Sequence, residues 1–166
     1  MTCLLKSASV LAVSLGVLLA SLTLQTSTVD ARASGIFDKL NGVWRGGGRI
    51  KLENGRTERI ACRAYYNAKE AGALLGLAIR CASAGNKIEL RASLQDTNGR
   101  LSGTWEERTF NATGDVSGTA RRGRVKLLIN GAVSGSVNIS FSGRRQSVDI
   151  STGTEGLRGI AISLRR

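Results

Sequence analysis

From residue 43 to residue 164 apolar and polar residues alternate with a period of two. No stretch of useful length carries the three-to-four spacing of an amphipathic helix. Ile88, Leu90, Ala92 and Leu94 share one face of their segment, and Glu89, Arg91 and Ser93 share the other, because successive side chains of an extended chain point to opposite sides. Short turn signals interrupt the pattern. Asn54-Gly55 tolerates the positive φ of a tight hairpin turn, Asp96-Thr97-Asn98-Gly99 gives a second turn, and Gly123, Gly131, Gly143 and Gly153 separate the later segments. The pattern predicts strands at 43–52, 57–66, 75–81, 88–94, 101–109, 115–120, 124–130, 134–142, 146–152 and 157–164. Before them, residues 36–40 have room for one short helical turn.

Eight to ten strands joined by short turns describe an all-β, antiparallel meander. One face must be buried, and closing the sheet on itself removes its unpaired edges. An up-and-down β-barrel is the expected architecture, with a two-sheet β-sandwich as the alternative.

A small unit recurs where strand patterns begin. Leu40-Asn41-Gly42-Val43-Trp44 is matched by Leu101-Ser102-Gly103-Thr104-Trp105, and these two copies hold both tryptophans of the chain. Looser copies start at Val116, Val133 and Leu157. The unit reads as an apolar anchor, a glycine that permits sharp coiling and a residue that fills the interior. Its two tryptophan copies, on the first and fifth strands, are expected to face each other across the barrel.

Residues 1–33 read as a secretory signal peptide: Lys6, an apolar run from Ala8 to Leu24, then the small-x-small site Ala31-Arg32-Ala33. Residues 34–166 then form a single barrel domain, with no second apolar segment long enough to span a membrane. Export leaves Cys62 and Cys81, an even pair in an oxidising compartment, and these are expected to form a disulfide.

The segment Asp38-Lys39-Leu40-Asn41-Gly42-Val43-Trp44-Arg45 resembles the Gly-x-Trp signature that opens calycin barrels, the lipocalins and avidin-like proteins. The whole is also similar to small exported bacterial proteins with Gly-x-Trp strands. The resemblance implies that a helical turn leads into the first strand and that Trp44 plugs the closed barrel end. It also implies that an arginine of the last strand covers the indole, for which Arg158 is the candidate. Gly46-Gly47-Gly48 departs from the apolar residue that lipocalins carry after the tryptophan. The strand-like 157–164 replaces their final helix, and the aromatic biotin-box residues of avidins are not recognisable.

Catalytic chemistry has little to work with. The chain contains no histidine, which removes the usual general base and the commonest zinc ligand. No enzyme activity, cofactor or metal is expected. Glu106 and Glu107 are strand neighbours that face opposite ways and cannot flank one bond. Glu107 shares a face with Trp105. If that face is internal, the two are candidate ligand-binding residues, and Glu107 needs a basic partner, Arg63 or Arg80.

Charge says more. The chain carries 24 Lys and Arg against 12 Asp and Glu, a net +12. With the strands running alternately up and down, one end collects Lys69, Arg100, Arg121, Arg122, Arg124, Arg144, Arg145, Arg165 and Arg166, opposed by Glu70 and Asp96 alone. The other end holds Arg56 and Lys87 against Glu53, Asp115 and Glu155. A basic pole attracts anionic surfaces, so Arg121, Arg122, Arg124, Arg144, Arg145, Arg165 and Arg166 are candidate anion-binding residues. In a periplasmic or secreted protein their partners would be lipopolysaccharide, an anionic lipid headgroup or an acidic polysaccharide. Nucleic acid is not expected, since bases would find few aromatic platforms. The alternative function is a calycin-like carrier with a small apolar ligand inside the barrel. Large inward residues (Leu75, Leu77, Ile79, Leu90, Leu94, Val125, Leu127, Ile129) would instead fill a narrow one.

Overall fold

The computed structural model describes residues 35–166 apart from Asn86 and Thr154. The expected signal segment 1–33 lies outside the described residues. Ten strands follow a short 3-10 turn, Ile36–Lys39. They are β1 (Gly42–Leu52), β2 (Thr57–Lys69), β3 (Leu74–Ala82), β4 (Lys87–Thr97), β5 (Arg100–Glu107), β6 (Ala112–Arg121), β7 (Arg124–Gly131), β8 (Gly135–Ser142), β9 (Arg145–Thr152) and β10 (Leu157–Arg165). Each pairs antiparallel with its sequence neighbours, and β10 pairs with β1. The sheet is a closed up-and-down barrel with no free edge, and the two-sheet alternative falls.

Alternation decides what faces inward. Along β2 the buried residues are Ile60, Cys62, Ala64 and Tyr66, with Ala61, Arg63 and Tyr65 exposed between them. The cysteines face each other directly in the β2–β3 register and form the expected disulfide, with Cα atoms 4.1 Å apart.

The two ends of the barrel differ. At one end the 3-10 turn closes the interior. Phe37, Leu40 and Trp44 are fully or almost fully buried, as is Leu164 from β10. The Trp44 indole N–H donates to the Leu40 carbonyl at 2.6 Å, and Tyr66 meets the Trp44 ring edge-on at 6.4 Å. The Tyr66 hydroxyl and the Gln146 side-chain amide exchange hydrogen bonds of 2.9 and 3.1 Å, which satisfies both buried polar groups. Burial pushes the Tyr66 phenol up to about 12, and the Gln146 hydrogen bond only partly opposes this. Toward the other end the inward residues Ile79, Leu90, Ile129, Val137 and Ile150 are only partly buried, as is Leu77 midway along β3. Leu75, Leu94, Val125 and Leu127, by contrast, are buried.

The two tryptophan units share a plan but not a geometry. Leu40, Trp44, Leu101 and Trp105 are all buried, as the anchor-and-filler reading requires. Gly42, however, has φ +114°, a conformation closed to ordinary side chains. Gly103 lies within β5, where an added Cβ would run into the Ser93 carbonyl of β4. The first glycine turns the chain into the barrel, and the second lets adjacent strands coil.

One expectation is corrected. The arginine that covers Trp44 is Arg166, with its guanidinium carbon 5.2 Å from the ring centroid, and not Arg158. The register explains the difference. Arg165 pairs with Arg45 beside Trp44, whereas Leu157 pairs with Leu52 at the far end of β1. Arg158 is exposed at that far end.

Candidate anion-binding site

The sequence points to an interior site at Trp105 and Glu107 and to a basic end. In the interior, Trp105 is 6% exposed and donates its indole N–H to the Asn130 carbonyl at 3.3 Å. Glu107 is 8% exposed. One of its oxygens accepts the Glu89 amide at 2.8 Å and the other accepts the Phe110 amide at 2.7 Å. Burial works to raise the Glu107 carboxyl, but donors from Phe110, Glu89 and Thr109 outweigh it and hold the group below its ordinary value. Its partners are therefore the Glu89 amide of the neighbouring strand β4 and the Phe110 amide of the turn after β5, not Arg63 or Arg80. Those two point outward from β2 and β3. Arg80 reaches Glu89 on the outer wall at 3.5 Å, and Arg91 and Arg108 converge on the same carboxylate. The Arg91 hydrogen bond is the main reason that Glu89 lies below its ordinary value, despite an opposing desolvation effect.

The seven arginines expected at the basic end divide by environment. Arg166 donates to the Asn41 carbonyl at 2.7 Å, and Arg144 donates to the Arg166 carbonyl at 2.7 Å. Both therefore secure the closed end. Arg122, Arg124, Arg145 and Arg165 line an open groove of ≈ 470 Å³ on the outer wall of β7 to β10. The groove is floored by serines, among them Ser140 and Ser147, whose hydroxyl oxygens are 2.7 Å apart. No carboxylate lines it. Arg121 joins Arg122, Arg124 and Lys126 around a neighbouring hollow of ≈ 490 Å³. Arginine guanidinium groups over hydroxyl donors can hold phosphate, sulfate or carboxylate groups through charge-assisted hydrogen bonds.

Sequence reasoning missed how far this chemistry extends. Arg145 pairs in register with Arg165, Arg165 with Arg45, Arg45 with Arg63, and Arg63 with Arg80. All five face outward and are exposed. They form one row across five adjacent strands, ending where Arg80 pairs with Glu89. Period-two reading places each on the outer face of its own strand, but only the register aligns them. A second hollow of ≈ 580 Å³, on β1 to β4, is bordered by Arg45, Arg63, Arg80 and Lys87, with Glu89 as its one acid.

Among the described residues no group of three or more His, Cys, Asp or Glu is placed to hold a metal ion, and no helix is long and apolar enough to cross a membrane.

No family model matches the chain, and no curated protein matches it. Solved structures do. Rv2717c from M. tuberculosis superposes with a TM-score of 0.62 at 15% identity, over 77% of this chain and 92% of that one. The S-type phycobiliprotein lyase CPES from Guillardia theta superposes with a TM-score of 0.53 at 14% identity, over 78% of this chain and 90% of that one. At this identity the likeness is one of fold. What they share with this chain is an antiparallel β-barrel fold.

Proposed function

We propose that this protein is a non-enzymatic, exported β-barrel that contacts anionic envelope components through the arginine-walled groove on β7 to β10. The observation that carries the reading is the groove itself: Arg122, Arg124, Arg145 and Arg165 stand around a serine floor with no carboxylate among the lining residues. Arg80, Arg91 and Arg108 meet an acid at Glu89, whereas among the described residues Arg122, Arg124, Arg145 and Arg165 pair with none. In the groove, the charge is left for an external anion. The disulfide supports export, because such bonds persist in oxidising compartments. The buried Trp44 under an arginine supports a calycin-like origin.

A second reading, carriage of a small apolar ligand, is favoured by the partly exposed apolar residues at the mouth opposite the Trp44 plug. In that reading Trp105 and the mouth residues contact the ligand, and Glu107 shapes the adjoining turn.

Retention on heparin and on immobilised lipopolysaccharide, measured across a salt series, tests the first reading. Arg122→Ser with Arg124→Ser should elute at clearly lower salt than the wild type, with a shallower dependence of affinity on salt. Equal elution of variant and wild type would sink it. Quenching of tryptophan fluorescence by an apolar dye at the mouth, unaffected by the arginine changes, would instead support the carrier.

A further inference from the structure

We infer that the arginine row Arg145–Arg165–Arg45–Arg63–Arg80 is a track for a linear acidic polysaccharide. This rests on the anion-binding reading above and specifies its partner. Three observations carry it.

The first is alignment. Five arginines are direct cross-strand neighbours on consecutive strands. Like charges placed opposite each other repel, and only the Arg80 end of the row is relieved by a carboxylate, Glu89. Among the described residues Arg45, Arg145 and Arg165 pair with no acid. An anionic chain laid along the row would supply the missing counter-charges.

The second is relief. The outward residues beside the row, one step along the strands, are Ser147, Ser163, Gly47, Ala61 and Ala82. They too are register partners of one another from β9 to β3. A continuous shelf of small side chains therefore runs alongside the guanidinium groups. It joins the serine-floored groove to the hollow near Arg63 and Lys87. A chain of sugar rings could rest on the shelf while its carboxylate or sulfate groups meet the arginines.

The third is shape. Adjacent strands lie about 4.8 Å apart, so the row follows the wall for ~19 Å, with a step close to the length of one sugar unit in an extended glycan. The wall is convex because the sheet is closed. A flat lipid surface could touch only part of such a curved row, whereas a flexible chain can follow all of it. Tyr65, exposed next to the row and accepting a 3.5 Å hydrogen bond from Arg63, offers a ring face for a sugar.

The test is binding of size-fractionated heparin oligosaccharides to the protein, with inorganic sulfate and phosphatidylglycerol vesicles as parallel probes. Affinity should rise with oligosaccharide length and level off once the chain spans the row. Arg45→Ser with Arg63→Ser should lower affinity for the long fragments by roughly tenfold and flatten the length dependence. Arg45→Lys with Arg63→Lys should retain most of it. Lys51→Ser with Arg56→Ser removes equal charge away from the row and should change little. If the row variant matches this control, or affinity does not depend on length, the track is refuted. Tighter, row-dependent binding to the vesicles would replace the polysaccharide with a membrane surface. Loss of retention in Arg122→Ser with Arg124→Ser, but not in the row variant, would remove the track and leave the anion-binding reading standing. No retention on any anionic probe would remove both.

Discussion

Arg166 lies over the face of Trp44, 5.2 Å from the ring centroid, and donates to the Asn41 carbonyl at 2.7 Å. The hydrogen bond joins positions 125 residues apart, and the two contacts together close the plugged end from outside. Arg166→Ala removes a cation–π contact and a charged hydrogen bond, each worth about 1 kcal/mol. The variant should lose about 2 kcal/mol in chemical denaturation. Arg158→Ala, at the other end of β10, should stay within about 0.5 kcal/mol of the wild type. Equal effects at the two positions would contradict the assignment.

The disulfide spans 19 residues between neighbouring strands. Chain-entropy reasoning gives about 3 kcal/mol for a loop of this size. Thermal melts with and without reductant, together with Cys62→Ala and Cys81→Ala in one chain, should show that loss. An unchanged melting temperature would mean that the bridge constrains nothing the rest of the barrel does not already hold.

Glu107 gives stability a pH dependence of known sign. Its folded carboxyl lies below the ordinary 4.5, so on acidification the unfolded chain takes up the proton first. The contribution is therefore complete at neutral pH and is lost as pH falls from 4.5 through the lower folded value. Glu107→Gln abolishes the charge-assisted acceptors of the Glu89 and Phe110 amides and should cost about 1–3 kcal/mol at neutral pH. In urea titrations at a series of pH values the gap between wild type and variant should close with acid. A constant gap would contradict the role given to the carboxylate.

The arginine row predicts an unusual stabilising substitution. Arg45 has Arg165 on one side and Arg63 on the other. Arg45→Gln removes two opposed like-charge pairs and should raise stability by about 0.5 kcal/mol in dilute buffer. The gain should vanish in concentrated salt, which screens exposed charges. Melting temperatures at low and high ionic strength decide it, and a loss of stability in dilute buffer would show that the row is not self-repelling.

Most of the barrel can be read from sequence because strand alternation and turn residues are local signals. Ile88 to Leu94 announces its own inward face, and Asn54-Gly55 its own hairpin. Cys62 and Cys81 could be matched because a single hairpin, β2–β3, links their strands. What depends on register between distant strands was not legible. Arg166 was overlooked as the partner of Trp44 because only the β1–β10 pairing brings the end of the last strand beside the start of the first. The arginine row escaped for the same reason: Arg45 and Arg165 touch only through that closure. Glu107 failed differently. The sequence left open whether it faces inward, and its partners are a β4 amide and an amide of a turn whose path no side-chain pattern encodes.

Closure also governs how this chain can come to its final form. Until Leu157–Arg165 docks against Gly42–Leu52, the other nine strands make a sheet with two sticky borders, exposed together and removed together. Removing β10 would reopen both at once and would take with it Arg165 of the arginine row and Arg166, which covers the indole. The last strand thus acts as a keystone, so a chain stopped just short of it would tend to self-associate rather than persist as a slightly smaller barrel.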